Sequence, residues 1–330
     1  MTLMKSLMGA AASLALTAGM AIADPAIIFD LGGKFDKSFN EAAYNGAQKW
    51  ADETGGSYKE IEMQSEAQRE QALRRLAEAG SNPVVMTGFA FGNVLGEVAP
   101  DYPDTSFVII DMVVDQPNVT SVVFTEHEGS YLVGYMAAQA SKNNTVGFVG
   151  GMDIPLIRRF ACGYVQGARH IKAGATVYQN MTGSTPAAWN DPAKGAELAK
   201  SQFDRGADVV FAAAGGTGVG VYQAAADDDK LAIGVDSNQN YLHPGTMLTS
   251  MVKRVDVAVY NAFESVRNDS WKPGVTVLGL SEGGVGWALD EHNMPLVDEK
   301  MRASMDALKA DIVAGKISVH DYMSDNSCPE

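Results

Sequence analysis

Short apolar strands alternate with amphipathic helices along the whole chain, and this pattern constrains the fold most strongly. Parallel strands need long crossover connections, so strands that alternate with helices are typical of parallel sheets covered by helices. The predicted strands are 26–30, 57–62, 83–87, 106–111, 119–124, 145–150, 175–180, 207–212, 231–235, 246–250 and 275–280. The predicted helices are 38–53, 65–79, 90–98, 128–141, 155–173, 191–205, 218–228, 253–268 and 297–314.

The pattern starts twice, which favours two lobes over one large sheet. The alternation of strands and helices begins at Ile27 and begins again, in much the same way, at Thr145. We therefore predict an α/β fold of two doubly wound parallel-sheet lobes that face each other across a cleft. Residues 24–127 and about 251–275 are predicted to form the first lobe, and residues 128–250 and about 276–330 the second, with hinges near 125–130, 250 and 275–285.

Residues 1–23 have the composition of a cleavable signal peptide. Lys5 precedes an apolar run from Leu7 to Ala21, and Ala21-Ile22-Ala23 forms an A-x-A cleavage signal. Since the cleavage site has no neighbouring cysteine, no lipid anchor is expected there. These features predict an exported, periplasmic protein.

The chain is acidic, with a formal net charge of −15 that becomes −16 when Lys5 is removed with the signal peptide. This charge disfavours nucleic acid and anionic membrane surfaces as partners. The five histidines are scattered and form no zinc motif, so we expect no metal and no cofactor. In an oxidising compartment the two cysteines have one intramolecular pairing, so we predict a disulfide between Cys162 and Cys328.

The segment 27–40 combines a carboxylate and an aromatic residue at a predicted strand end. The first strand ends at Asp30, a glycine turn follows, and a helix is predicted to begin at Ser38 with Glu41 completing a capping box. Phe39 then lies in the first helical turn, at the sheet edge where open α/β folds bind ligands. An aromatic face beside a carboxylate suits a flat, hydroxylated ligand with many hydrogen-bond donors.

Further candidate site residues follow strands in both halves of the chain. Asp111 and Asp236 end strands as Asp30 does, and Gly88 and Gly215 lie where backbone could approach a ligand closely. Aspartate is also a common cap at strand ends, so each carboxylate alone also fits a structural role.

Trp189 and Lys253 add an aromatic and a charged candidate from the second half of the chain. Trp189 precedes a helix capped by Asn190 or Asp191, and together with Phe39 it could sandwich a planar ring. Lys253 is predicted to start a helix near a hinge and to point into the cleft. Alternatively, Trp189 covers an exposed edge of the core, and Lys253 is a solvated residue on the helix surface.

Several ordered motifs resemble those of the BMP (basic membrane protein) family of substrate-binding proteins, which includes a purine nucleoside receptor. The resemblance spans essentially the whole mature chain. Its motifs include Asp-Lys-Ser-Phe-Asn at 36–40, Glu-Gly-Ser-Tyr-Leu-Val-Gly-Tyr at 128–135, Val-Gly-Phe-Val-Gly-Gly at 146–151, Trp-Asn-Asp-Pro-Ala-Lys-Gly at 189–195, Ile-Gly-Val-Asp at 233–236 and Ser-Met-Val-Lys-Arg at 250–254.

The resemblance implies a type I periplasmic-binding-protein fold and delivery of a nucleoside to the permease of an ABC importer. It implies first-lobe ligand contacts at Asp30 and Phe39, a polar contact at Asp111, and ribose contacts at Asp236 and Lys253. The full predicted ligand set is Asp30, Phe39, Asn40, Gly88, Asp111, Trp189, Gly215, Asp236 and Lys253. Many family members are lipoproteins, and this chain departs from them in lacking the cysteine.

The resulting prediction is a monomeric binding protein for a purine nucleoside rather than an enzyme. One alternative is a sugar or signal-molecule sensor of the same fold, because sugars also stack on aromatic rings. Another is an exported nucleoside hydrolase in which Asp30 and Asp36 hold a metal. Such an enzyme needs a dense aspartate cluster around an activated water, but Lys34 stands between these two acids.

Overall fold

The computed structural model describes residues 23–329, in which twelve strands form two separate sheets. Strands of the first sheet are parallel and lie in the order β11-β5-β4-β3-β1-β2. Their bounds are β1 Ala26–Phe29, β2 Lys59–Glu62, β3 Val84–Thr87, β4 Phe107–Ile110, β5 Val119–Phe124 and β11 Gly274–Leu278.

The second sheet has the order β12-β10-β9-β8-β6-β7 and is parallel except for β12, which runs antiparallel to β10 at one edge. Its strands are β6 Thr145–Met152, β7 Thr176–Gly183, β8 Val209–Ala213, β9 Leu231–Asp236, β10 Met247–Lys253 and β12 Val285–Trp287. The predicted two-lobed α/β fold is confirmed. The pattern missed β12, because three residues are too few to show a period.

Each of the nine predicted helical segments contains a helix in the described part of the chain. These helices are α1 Phe39–Thr54, α2 Arg69–Glu78, α3 Gly92–Val98, α4 Glu126–Ala140, α5 Pro155–Ile171, α6 Pro192–Asp204, α7 Gly218–Asp227, α8 Val255–Arg267 and α9 Glu299–Val313. They cover both faces of the sheets, and strands such as β1, β3 and β4 are therefore buried along their whole length.

The chain crosses between the lobes at three places. It leaves the first sheet after Phe124, returns to the first lobe after Lys253, and crosses again after Leu278. The first lobe therefore holds 24–124 with 255–278, and each crossing lies three residues from the predicted boundary at 127, 250 or 275. The predicted signal peptide lies outside the described residues except for Ala23.

The C-terminal segment lies along α5. Cys162, in the middle of α5, is disulfide-bonded to Cys328, and the Cα atoms are 5.6 Å apart. Gln166, one turn later, donates from Nε2 to the carbonyl of His320 and accepts from its backbone N–H, both at 2.9 Å. The disulfide and these two hydrogen bonds hold the C-terminal segment against α5.

Removing the disulfide should destabilise the fold. Cys328→Ser opens a loop that joins residues 166 positions apart, and the chain-entropy model assigns such a loop about 5 kcal/mol. We expect the free energy of unfolding to fall by about 2–5 kcal/mol in urea titrations. Wild type treated with dithiothreitol is the matched control and should unfold at the same midpoint as the variant. Equal midpoints for oxidised wild type and Cys328→Ser would contradict this.

Candidate ligand-binding site

A cavity with about 640 Å³ of empty space, part of it open to solvent, lies between the lobes. Its lining comes from strand ends, helix starts and connecting turns of both lobes. All nine residues of the predicted ligand set line it: Asp30, Phe39, Asn40, Gly88, Asp111, Trp189, Gly215, Asp236 and Lys253. The parallel topology thus brings together residues more than 200 positions apart in the sequence.

Two strand-end aspartates adopt an unusual backbone conformation. Asp111 and Asp236 have φ values of 72° and 62°, in the left-handed region that aspartate enters more readily than most side chains. Gly88 and Gly215, which follow β3 and β8, are also left-handed. A Cβ at Gly88 would lie 3.0 Å from the Oδ2 atom of Asp30, so glycine leaves room for that carboxylate. These turns direct the chain around the carboxyl ends of the strands.

Asp30 is ion-paired inside the first lobe. Its Oδ1 accepts from Nη2 of Arg69 at 2.8 Å and from Nε at 3.3 Å, and Arg69 is only 5% exposed. Burial raises the pKa of Asp30, and the guanidinium opposes this rise. The sequence analysis missed Arg69, because an arginine in the charged run of α2 has no pattern that distinguishes it from a surface residue.

The predicted capping box at the start of α1 is wrong. Ser38 precedes the helix, but its side chain makes no capping bond. Asp36 caps α1 instead, since its carboxylate accepts from the backbone N–H groups of Ser38, Asn40 and Glu41 at 2.8–3.1 Å. The left-handed turn at Lys37 (φ 65°) brings Asp36 in front of the helix. Burial raises the pKa of Asp36 to about 7, against these three donors.

Ser38 is thereby free to bond across the cleft. Its Oγ donates to Oδ2 of Asp236 at 2.5 Å and lies 3.3 Å from the carbonyl oxygen of Val235. The backbone of the same turn is bound from the second lobe, because Ser237 donates to the Ser38 carbonyl and Gln239 to the Lys37 carbonyl, both at 2.9 Å. One turn of the first lobe is therefore fastened to the end of β9.

Lys253 is the buried cation of the cavity. It ends β10 instead of starting a helix as predicted, because β10 continues to residue 253 by pairing with β12. Its Nζ lies 2.7 Å from Asp111 and 2.9 Å from Glu126, at 2% side-chain exposure. Burial would lower the pKa of Lys253, but the neighbouring carboxylates raise it above its ordinary value. Burial also raises the pKa of Asp111, to about 6, although Lys253 opposes this.

Aromatic rings enclose this ammonium group. Its Nζ is 5.3 Å from the ring centre of Phe39, 5.0 Å from that of Phe124 and 5.7 Å from that of Phe160. These distances are typical of cation–π contacts, which are strongest where water is excluded. The sequence analysis missed Phe160 as a cavity residue and Glu126 as a partner of Lys253, since both belong to helices whose apolar and acidic residues match ordinary helix patterns.

Trp189 belongs to the second lobe and Phe39 to the first, and both line the cavity. Trp189 ends a short 3-10 turn, Pro186–Trp189, and α6 follows with Asp191 as its cap, accepting from the N–H of Lys194 at 2.9 Å. The indole ring lies against Gly151 of β6. A Cβ there would be 2.0 Å from the ring, so the second glycine of the Val-Gly-Gly motif makes room for Trp189.

A family model described as ABC transporter substrate-binding protein PnrA-like (Bmp) matches residues 25–322. The chain belongs to this family. It is 34% identical to the ABC transporter nucleoside-binding protein BmpA of Lactococcus lactis subsp. cremoris, covering 89% of this chain and 88% of that protein. It is 36% identical to an uncharacterized lipoprotein of Pyrococcus furiosus, covering 80% of this chain and 70% of that one.

A crystal structure of a solute-binding protein of an ABC transporter system from Aeropyrum pernix K1 superposes with a TM-score of 0.82. The two chains are 29% identical, and the match covers 90% of this chain and 92% of that one. The fold is therefore the type I periplasmic-binding-protein fold implied by the sequence motifs. Among the described residues, no helix has both the length and the apolar character of a membrane span.

The contact between Gly151 and Trp189 can be tested without a ligand. In Gly151→Ala the new methyl group would overlap the indole ring, so the ring should move and the 1H–15N signal of its indole N–H should shift. Gly286→Ala, in β12 of the same lobe, is the control, because a Cβ there meets no atom within 4 Å. An unshifted Trp189 signal in Gly151→Ala would contradict the placement of the ring.

The hydrogen bond from Ser38 to Asp236 should hold the lobes together. Hydrogen bonds to charged groups contribute about 1.5–3 kcal/mol, so Ser38→Ala should shift the protein towards open forms with a larger radius of gyration in X-ray scattering. Ser57→Ala, which removes an exposed hydroxyl–carboxylate bond within the first lobe, is the control. If both variants scatter like wild type, the bond does not control lobe closure.

Proposed function

We propose that this protein binds a purine nucleoside in the cavity between its lobes and delivers it to the permease of an ABC importer. The observation that carries the proposal is the composition of the cavity. Aromatic side chains from both lobes and a buried group of carboxylates with one ammonium line the same space. A planar base with a hydroxylated sugar has complementary surfaces for both. We further propose that residues 1–23 are removed on export and that the monomeric protein acts in the periplasm.

The base is proposed to lie between Phe39 and Trp189. These rings belong to opposite lobes, so a base between them contacts both and favours the closed form. Each aromatic contact contributes about 0.5–1.5 kcal/mol beyond the area that it buries. Asp30, Asn40, Gly88 and Gly215 border the same cavity and are proposed to complete the site.

The ribose is proposed to bind where Asp236, Lys253 and Asp111 meet. An ammonium has three N–H donors, and Lys253 donates one of them to Oδ2 of Asp111, whereas Oε1 of Glu126 lies 2.9 Å away as an ion-pair partner without a hydrogen bond. The Oδ1 atom of Asp111 is buried and has no hydrogen-bond partner among the described residues. Because a ribose hydroxyl both donates and accepts, it can satisfy a remaining donor of Lys253 and the free acceptor of Asp111 together.

Two further observations support this proposal over the hydrolase. Asp30 is held by Arg69 and Asp36 caps α1, so both carboxylates that would bind the metal already have partners. Among the described residues, the group with metal-binding spacing is Asp290, Glu291 and His292, which are not part of the cavity lining. The Lactococcus lactis relative is named as a nucleoside-binding protein, and binding followed by delivery is the activity we assign here.

Calorimetry with a panel of ligands tests the proposed function. Adenosine, guanosine or inosine should bind at least 100-fold more tightly than ribose, because two aromatic contacts and the area of the base are lost with the sugar alone. Chromatography of the same mixtures should show no release of free base. Equal affinity for ribose and for nucleosides would favour the sugar-binding alternative, and release of base would favour the hydrolase.

A further inference from the structure

We propose that Asp321, in the C-terminal segment, positions Lys253 for ligand binding through Arg159 and Glu126. This inference rests on the proposed function, since it concerns the ammonium group that is assigned to the ribose. Lys253 lines the cavity, whereas Glu126, Arg159 and Asp321 do not. These three therefore act as positioning residues, through contacts that end at Lys253.

The inner contacts of the series are buried. Glu126 is 1% exposed and lies between two cations, with Oε1 2.9 Å from Nζ of Lys253 and Oε2 2.9 Å from Nη1 of Arg159. The same Nη1 donates to the carbonyl of Phe124 at 2.7 Å, at the point where the chain leaves the first sheet. Arg159 thereby fixes both the Glu126 carboxylate and the backbone of the first crossing.

The outer contact fixes Arg159 itself. Its Nε donates to Oδ1 of Asp321 at 2.7 Å and its Nη2 donates to Oδ2, which makes a bidentate pair with a defined geometry. His127 also faces this pair, with Nδ1 4.0 Å from Oδ1 of Asp321. The guanidinium is therefore shared between a carboxylate of the C-terminal segment and Glu126.

The C-terminal segment is held in place for this contact. Arg159, Cys162 and Gln166 follow one another on α5 at intervals of three and four residues, so they share one helix face. All three bind the C-terminal segment, through Asp321, Cys328 and His320. The segment is thus fixed on both sides of Asp321, and the position of this carboxylate is determined by the fold.

Charge alternates along the series from Asp111 through Lys253, Glu126 and Arg159 to Asp321. Each interior charge has an opposite charge on both sides, which a low-dielectric interior requires. Loss of the terminal carboxylate would leave Arg159 with Glu126 as its one carboxylate partner, beside the carbonyl of Phe124, and Glu126 would move towards the guanidinium. The ion pair between Lys253 and Glu126 would then weaken, and Lys253 would shift towards Asp111, away from the geometry in which its remaining donors meet the ligand.

The test uses Asp321→Asn and a matched control in the same segment, Asp325→Asn. The carboxylate of Asp325 bonds to His320 and Ser327 and touches no member of the series. Before ligand is added, spectra of protein with 15N-labelled lysine report the ammonium signal of Lys253, assigned by its loss in Lys253→Met. We expect this signal to shift in Asp321→Asn and to stay in place in Asp325→Asn.

Calorimetry on the same proteins measures the consequence for binding. Asp321→Asn should bind nucleoside about fivefold to tenfold more weakly, as expected when a charge network loses its partly exposed outer member. Asp325→Asn and the conservative variant Asp321→Glu should bind like wild type. An unshifted Lys253 signal would overturn the proposal whatever the affinity, because Asp321 would then act only on the stability of the segment. A shifted signal with unchanged affinity would overturn it as well.

The two proposals fail in different ways. If wild type bound no nucleoside, the proposed function would be wrong, while the ammonium signal would still decide whether Asp321 positions Lys253. If wild type bound nucleoside and the signal stayed in place in Asp321→Asn, only the positioning role would be lost. Asp321→Glu keeps the charge and protects the test against a variant that fails to fold.

Discussion

The buried ammonium of Lys253 is the group on which the other polar side chains of the cavity depend. A full charge removed from water is tolerated only where opposite charges and hydrogen bonds replace the solvent. Here Asp111 comes from the first lobe, and Glu126 and Lys253 lie beside the crossings between the lobes. The charge balance of the cavity is therefore maintained by residues of both lobes, and separating the lobes would expose Lys253 and Asp111 together.

Closure of the lobes has a second set of contacts, around the turn that precedes α1. The Lys37–Ser38 turn is bound by Asp236, Ser237 and Gln239 of the second lobe. Because Asp236 both accepts from Ser38 and lines the cavity, the same carboxylate serves lobe closure and the proposed ligand contact. A ligand that binds Asp236 must leave this bond intact or replace it, so binding and closure are energetically coupled.

Residues at strand ends, and Phe39 and Asn40 in the turn of α1 that follows one of them, could be predicted from the sequence, whereas residues within other helices could not. Asp30, Asp111 and Asp236 each end an apolar run, and parallel topology brings such ends to one edge of a sheet. Arg69, Glu126 and Phe160 belong to helices, where the same residue types commonly face solvent or the core. Their role depends on how helices of different parts of the chain pack, and local periodicity does not contain that information.

The capping box at Ser38 failed for a related reason. Serine followed by glutamate at the right spacing is a sound local signal, but Asp36 reaches the same N–H donors once Lys37 turns left-handed. Local preference favours Asp36 and Ser38 equally as the cap of α1. The tertiary contact between Ser38 and Asp236 decides between them. Local preference thus gave way where the residue bonds to the other lobe, as expected at a functional site.

The surplus of carboxylates has a further consequence for the kind of molecule that fits this cavity. The carboxylates on and beside it outnumber the three cations that touch them: Asp30, Asp36, Asp111, Glu126 and Asp236 against Arg69, Arg159 and Lys253. Burial raises the pKa of Asp36 to about 7 and that of Asp111 to about 6. A further negative charge beside either carboxylate would therefore be unfavourable. An anionic ligand would add to this charge in a low-dielectric space, where repulsion is strong. A neutral ligand rich in N–H and O–H donors lowers the cost of each buried carboxylate instead, because donors stabilise the ionised form.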